Sequence, residues 1–130
     1  MQHININPIR KLSTSTPSTI NQVGVLSPVT VVETYHDGNN WYRKYSDGWI
    51  EQGGYESISS MTQYGTKTIT FITPFQTTCL NVHCGIEISG VSGRDAGLHG
   101  IQDVSTIGFT WTNGDQATTQ TGIYWTAKGI

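Results

Sequence analysis

Charge is scarce in this sequence. Of its 130 residues, 12% are Asp, Glu, Lys or Arg, about half the roughly 25% of an average soluble domain, so uncharged polar groups must supply most of the solubility. The net charge of -2 leaves no basic footprint for nucleic acid or an anionic membrane surface, both of which need clustered Lys and Arg. Cysteine is as sparse: Cys79 and Cys84 are the two, and no leader of charged, apolar and small residues opens the chain. That argues against an exported disulfide scaffold and for synthesis in a reducing cytoplasm. No apolar run approaches the roughly 20 residues of a spanning helix, so membrane insertion is not expected. Leu and Ala number only 4 and 3, and no window repeats apolar residues at helical spacing. Helix should be nearly absent.

What fills the sequence instead is 19 Thr, 14 Ile and 8 Val, side chains that crowd a helix but suit a pleated surface. Period-two alternation between clusters of Gly, Asn, Asp and Ser predicts an all-β protein of one domain. Residues 1–28 differ in texture. They lack aromatics, include the polar run from Ser13 to Thr19, and carry isolated apolar residues such as Ile4, Ile6 and Val25. An extended N-terminal segment is expected there, packing against neighbouring chains, with the β domain proper over residues 29–130.

Within that domain the stretch NNWYRKYSDGWIEQGG, Asn39 to Gly54, reads as a hairpin around Asp47-Gly48, a dipeptide that supplies the positive φ of tight turns. A two-residue loop places Lys44 opposite Glu51; a three-residue loop with a Gly bulge places Arg43 there and Tyr45 opposite Trp49. Either register offers one cross-strand ion pair. The tryptophans serve as core residues or as sugar platforms, and core is the simpler reading. His36 to Asn40 reads as a turn between a strand over Val29 to Tyr35 and the strand starting at Trp41.

Further along, Thr66 to Thr73 alternates, ending at Pro74. In CLNVHCGIEI, Leu80, Val82, Cys84, Ile86 and Ile88 share one face, while Cys79, Asn81, His83 and Glu87 take the other. The two cysteines then cannot bond readily. A Cys79 and His83 metal pair would be separated by about 13 Å along a strand. Ser89 to Gly108 is rich in glycine and polar residues, either a functional loop or two short edge strands with turns. Phe109 to Thr112 and Gly122 to Gly129 suit a final hairpin around Asn113-Gly114-Asp115. No nucleophile elbow, zinc helix or phosphate loop is present. Of the nine carboxylates, Asp37, Asp47 and Asp115 sit in predicted turns and Glu51 has a cross-strand partner, although a glycosidase pair such as Asp95 and Asp103 is compatible with sequence alone.

VVETYHDGNNWYRKYSDGWIEQGG, Val31 to Gly54, with the closing GIYWTAKGI, Gly122 to Ile130, resembles the C-terminal domain of gp53-like bacteriophage tail fibre proteins. Trp41, Tyr42, Tyr45, Asp47, Gly48, Trp49 and Gly53 match a first motif; Trp125, Ala127 and Gly129 match a second. The resemblance covers residues 29 to 130. It implies a non-enzymatic, antiparallel β-sandwich-like fibre tip, homotrimeric, carried on the virion tail beside upstream fibre or baseplate components and touching a host cell-surface polysaccharide. It implies no cofactor, and the sequence lacks the His-x-His repeats with which some fibre tips hold iron. Its motifs mark scaffold, which leaves receptor contacts to the loops. Arg94, Asp95, His99, Gln102 and Asp103, with the ring of Tyr64, hold the planar hydrogen-bonding groups and faces that sugars require. The turns at His36 to Asn40 and Asn113 to Gln116 are the alternative loci. A purely structural trimerisation or capping module, or a polysaccharide-degrading domain, are the competing functions.

Overall fold

The computed structural model describes residues 27–59, 61–90, 98–114 and 120–130. Most of the segment 1–28 therefore lies outside the described residues. Eight strands follow one another: β1 Val31–Asp37, β2 Asn40–Tyr45, β3 Ile50–Ser57, β4 Thr66–Thr70, β5 Cys79–Ile88, β6 His99–Gln102, β7 Gly108–Asn113 and β8 Gln120–Gly129. They form an antiparallel five-stranded sheet in the order β1-β2-β3-β8-β5 and an antiparallel three-stranded sheet in the order β4-β7-β6. The all-β reading holds, and among the described residues there is no helix.

Alternation decides what each strand buries. In β8, Ile123, Trp125 and Ala127 point inward while Tyr124, Thr126 and Lys128 stay exposed. In β7, Phe109 and Trp111 point inward from the other sheet, and the Phe109 and Trp125 rings meet edge-on at 6.1 Å. Phe71 bridges the sheets as well, 5.7 Å from Trp125 and 5.8 Å from Phe109. Among the buried polar residues, Gln52, on β3, donates to the Thr73 carbonyl at 2.8 Å and accepts from the Thr73 N–H at 3.1 Å. Those two bonds give a backbone stretch outside any ladder the partners that a buried peptide group requires.

The first hairpins follow the turn chemistry. Gly38, at φ +59, and Asn39 close a two-residue loop between Asp37 and Asn40. Gly48, at φ +91, closes the three-residue loop, with the Tyr45 N–H donating to the Trp49 carbonyl at 2.9 Å. Arg43 faces Glu51 in this register, but the expected ion pair does not form between them. Lys44 instead pairs across β1–β2 with Glu33 at 3.2 Å, and Glu51 accepts from the Tyr45 hydroxyl at 3.2 Å. Tyr42 also donates to Glu33, and this bond, with that from Lys44, holds the Glu33 carboxyl below its ordinary value.

Four expectations need correction. Trp49 is half-buried rather than core: Ile50 takes the inward position, 3% exposed, and alternation turns its predecessor outward. Strands β7 and β8 form no hairpin but lie in different sheets. Two strands facing one core from opposite sides show the same alternation as two strands side by side, so the pattern alone cannot separate them. Leu80 is 56% exposed and Ile88 44%, each beside a register irregularity at an end of β5. The first irregularity also turns Cys79 onto the inner face, opposite Gly129, as Val82 is opposite Ala127 and Cys84 opposite Trp125. Both cysteines are free, and burial pushes the Cys84 thiol up to about 11, which leaves it an inert filler.

Candidate functional site

The register of the five-stranded sheet aligns one row of residues across all five strands: His36, Trp41, Gly53, Thr126 and His83. Their side chains stand on the outer face, which Thr126 and His83 leave exposed. The neighbouring row brings Tyr55 beside Tyr124 and Tyr124 beside Gly85. Along these rows runs a cleft of about 490 Å³, walled by His36, Gly38, Asn39 and Trp41 on one side and by His83 and Tyr124 on the other, with Gly54 and Gly85 also lining it. That volume lies in the usual range of ligand sites.

Two glycines account for the shape. Trp41 lies over Gly53, where an added Cβ would stand 2.8 Å from its Nε1, so the indole can lie down only because no side chain rises beneath it. At Gly85 an added Cβ would meet nothing within 4 Å. The floor there is open space rather than packing.

The Tyr124 wall is fixed from behind. Its ring lies 4.8 Å from that of Tyr55, and both hydroxyls donate to Glu87, at 3.4 and 2.8 Å. The Thr121 hydroxyl donates to the same carboxylate at 2.8 Å. These bonds, led by that from Tyr55, hold the Glu87 carboxyl below its ordinary value, and the Glu87 carboxylate raises that of Tyr55. A ring held in place before a ligand arrives spares the cost of ordering it on binding.

An indole and a phenol across a polar trough, with two imidazoles and an amide at its margins, can stack on the C–H face of a sugar ring and bond its hydroxyls. Among the described residues no carboxylate lines the cleft, so these residues do not assemble the paired acids of glycoside hydrolysis there.

The described residues among those expected to bind are dispersed. Arg94 and Asp95 lie outside the described residues. His99 opens β6, half-buried and stacked on Trp111 at 6.1 Å, opposite Asn113. Tyr64, 73% exposed at φ +65, donates its N–H to the carbonyl of the same Asn113 at 2.7 Å. These two thus flank Asn113 from its two sides at one end of the three-stranded sheet, while Gln102 and Asp103 sit exposed at the other end of β6. In the sequence the cleft is legible in the His36 to Asn40 turn and in the alternative reading of the tryptophans as sugar platforms. The motif match points to scaffold for Trp41, and His83 becomes its counterpart only once β8 is placed between β3 and β5.

Solved structures share this fold. It is similar to an N-truncated R2-type pyocin tail fibre, with 24% identity and a TM-score of 0.61 over 83% of this chain and 40% of that one. An N-truncated R1-type pyocin tail fibre gives 22% identity and 0.61, covering 83% and 90%. A P. aeruginosa R1 pyocin fibre of C-terminal residues 323-701 gives 23% and 0.60, covering 83% and 29%. The chain thus spans about 40% of the length of the first of these structures. No curated protein gives a significant match. The sequence over residues 44–130 matches the family described as "Putative tail fiber protein gp53-like, C-terminal". The chain belongs to that family and is a tail fibre domain.

Proposed function

We propose that this domain is the receptor-binding tip of a tail fibre and attaches to a polysaccharide of the host cell surface through the cleft on the five-stranded sheet. The observation that carries the reading is the cleft itself, a ligand-sized trough between the Trp41 indole and a Tyr124 ring anchored by Glu87. Attachment is binding without catalysis. Three copies form the tip: Val31, Val32 and Tyr35 of β1 are 45%, 62% and 40% exposed, apolar surface that supports burial between chains. Residues 1–28 would run toward upstream fibre or baseplate components, with the domain carried on the assembled particle. A purely structural cap leaves the cleft without a role.

Gly85→Leu tests the reading. The new side chain enters open space, so thermal melting should match the parent, whereas adsorption to a susceptible host or binding on an array of bacterial surface glycans should be lost. Unchanged adsorption by the folded variant would exclude the cleft. A parallel Arg94→Ala, Asp95→Ala, His99→Ala triple variant then shows whether contacts lie around β6 instead.

A further inference from the structure

We infer that the cleft selects a negatively charged saccharide, a sugar bearing a carboxylate or a phosphate, held between His36 and His83; this rests on the attachment reading above. The two imidazoles occupy the same cross-strand row at the two edge strands of the sheet, and both line the cleft. Four strand spacings of about 4.8 Å put their Cα atoms roughly 19 Å apart along the sheet, a span for a short oligosaccharide rather than one ring. Histidine is the side chain that changes charge between about pH 5 and 8, and its cationic form donates from both nitrogens to an anion.

The surroundings favour that sign of ligand. Facing His36 are Trp41 of β2 and, one row on, Arg43; its own strand contributes Thr34 to this face, and Asp37 lies on the opposite one. Facing His83 is Thr126 of β8, flanked by Tyr124 and Lys128, with Asn81 and Gly85 on its own strand. The row beside the cleft reads Thr34, Arg43, Glu51, Lys128, Asn81, two cations to one carboxylate. Glu87 stays anionic but lies two rows beyond His83, its oxygens accepting from Tyr55, Thr121 and Tyr124. A neutral sugar can use the aromatic walls but gains nothing from this arrangement of charge.

The experiment is calorimetric titration of the full chain with an oligogalacturonate, a neutral galactose oligomer of the same length, and glucose 6-phosphate, at about pH 5.5 and about pH 8. The acidic oligomer should bind about tenfold tighter at the lower pH, and the neutral one should not change. His36→Gln and His83→Gln, both at exposed positions, should each reduce that difference while the melting temperature holds. A response to glucose 6-phosphate alone would assign the anion to phosphate. Equal, pH-independent binding of acidic and neutral oligomers overturns the charge selection and leaves the cleft as a sugar site. Binding of none of the three, while adsorption still responds to Gly85→Leu, also overturns it; an adsorption insensitive to Gly85→Leu removes the attachment reading as well.

Discussion

Strands β8 and β1 lie in the same sheet, yet one is buried on every inward position and the other on none. Along β8 the Ile123, Trp125 and Ala127 side chains are at most 3% exposed and both ladder edges are paired, to β3 and β5. Along β1 all seven residues are exposed, and β2 is its single neighbour. Composition sets strand propensity; position in the sheet decides how much a residue contributes. The order of β1 comes from the Gly38-Asn39 turn, the Glu33 cluster with Tyr42 and Lys44, and the stacked Tyr35 and Tyr42 rings at 5.2 Å, all local features with little core behind them.

The largest effect that sharpens this contrast is expected at β8. Trp125→Ala should cost about 3 to 5 kcal/mol, because Phe71 and Phe109 lose a shared ring, and chemical denaturation would read the loss; a cost below 1 kcal/mol would mean that the two sheets do not depend on this contact. Next comes Gln52→Leu on β3, which leaves the Thr73 N–H and carbonyl buried without their partners and should cost about 2 to 4 kcal/mol. Much smaller is Val32→Lys at the irregular position of β1. In a lone chain its effect should stay within about 0.5 kcal/mol, while light scattering should show the proposed trimer weakened. A stable monomer of the parent chain at micromolar concentration would break the assembly reading outright. Smallest is Glu87→Gln. Because the folded carboxyl titrates below its ordinary value of 4.5, its contribution is present above that value and fades as pH falls through the lowered one. The melting temperature of the parent should therefore drop more steeply than that of Glu87→Gln on acidification below pH 4.5, and parallel curves would show the network to be without thermodynamic weight.

Local chemistry was legible in the sequence wherever two or three neighbouring residues determine the outcome. Asp47-Gly48 announced a hairpin, the three-residue loop was one of its two registers, and the alternation in Ile123, Trp125 and Ala127 announced an inward face. Longer relations were not. Nothing in Phe109 and Trp111 tells which sheet they join, since both sheets present the same alternation to one core. A single unpaired residue at Leu80 was enough to turn Cys79 over. The row from His36 to His83 spans strands β1, β2, β3, β8 and β5, and it exists only through a sheet order that the chain order does not display. Turn-rich Ser89 to Gly108 stands out in the sequence because glycine and charge are visible in a string; a trough whose floor is made by glycines is visible only in three dimensions.

The position of β8 bears on biogenesis. Ile50 pairs with Gly129 and Cys79 pairs with the same residue, so β8, the strand that joins β5 to the β1-β2-β3 meander, is the last of the described strands to leave the ribosome. Until it emerges, β3 and β5 each present an unsatisfied edge, and the β1-β2-β3 meander has no partner beyond itself. Such distant pairings close slowly, and open edges on nascent chains invite pairing with other copies. Newly made chains of this domain should therefore remain susceptible to protease and dependent on chaperones up to the completion of β8, then gain protection in one late step that pulse-chase proteolysis can time.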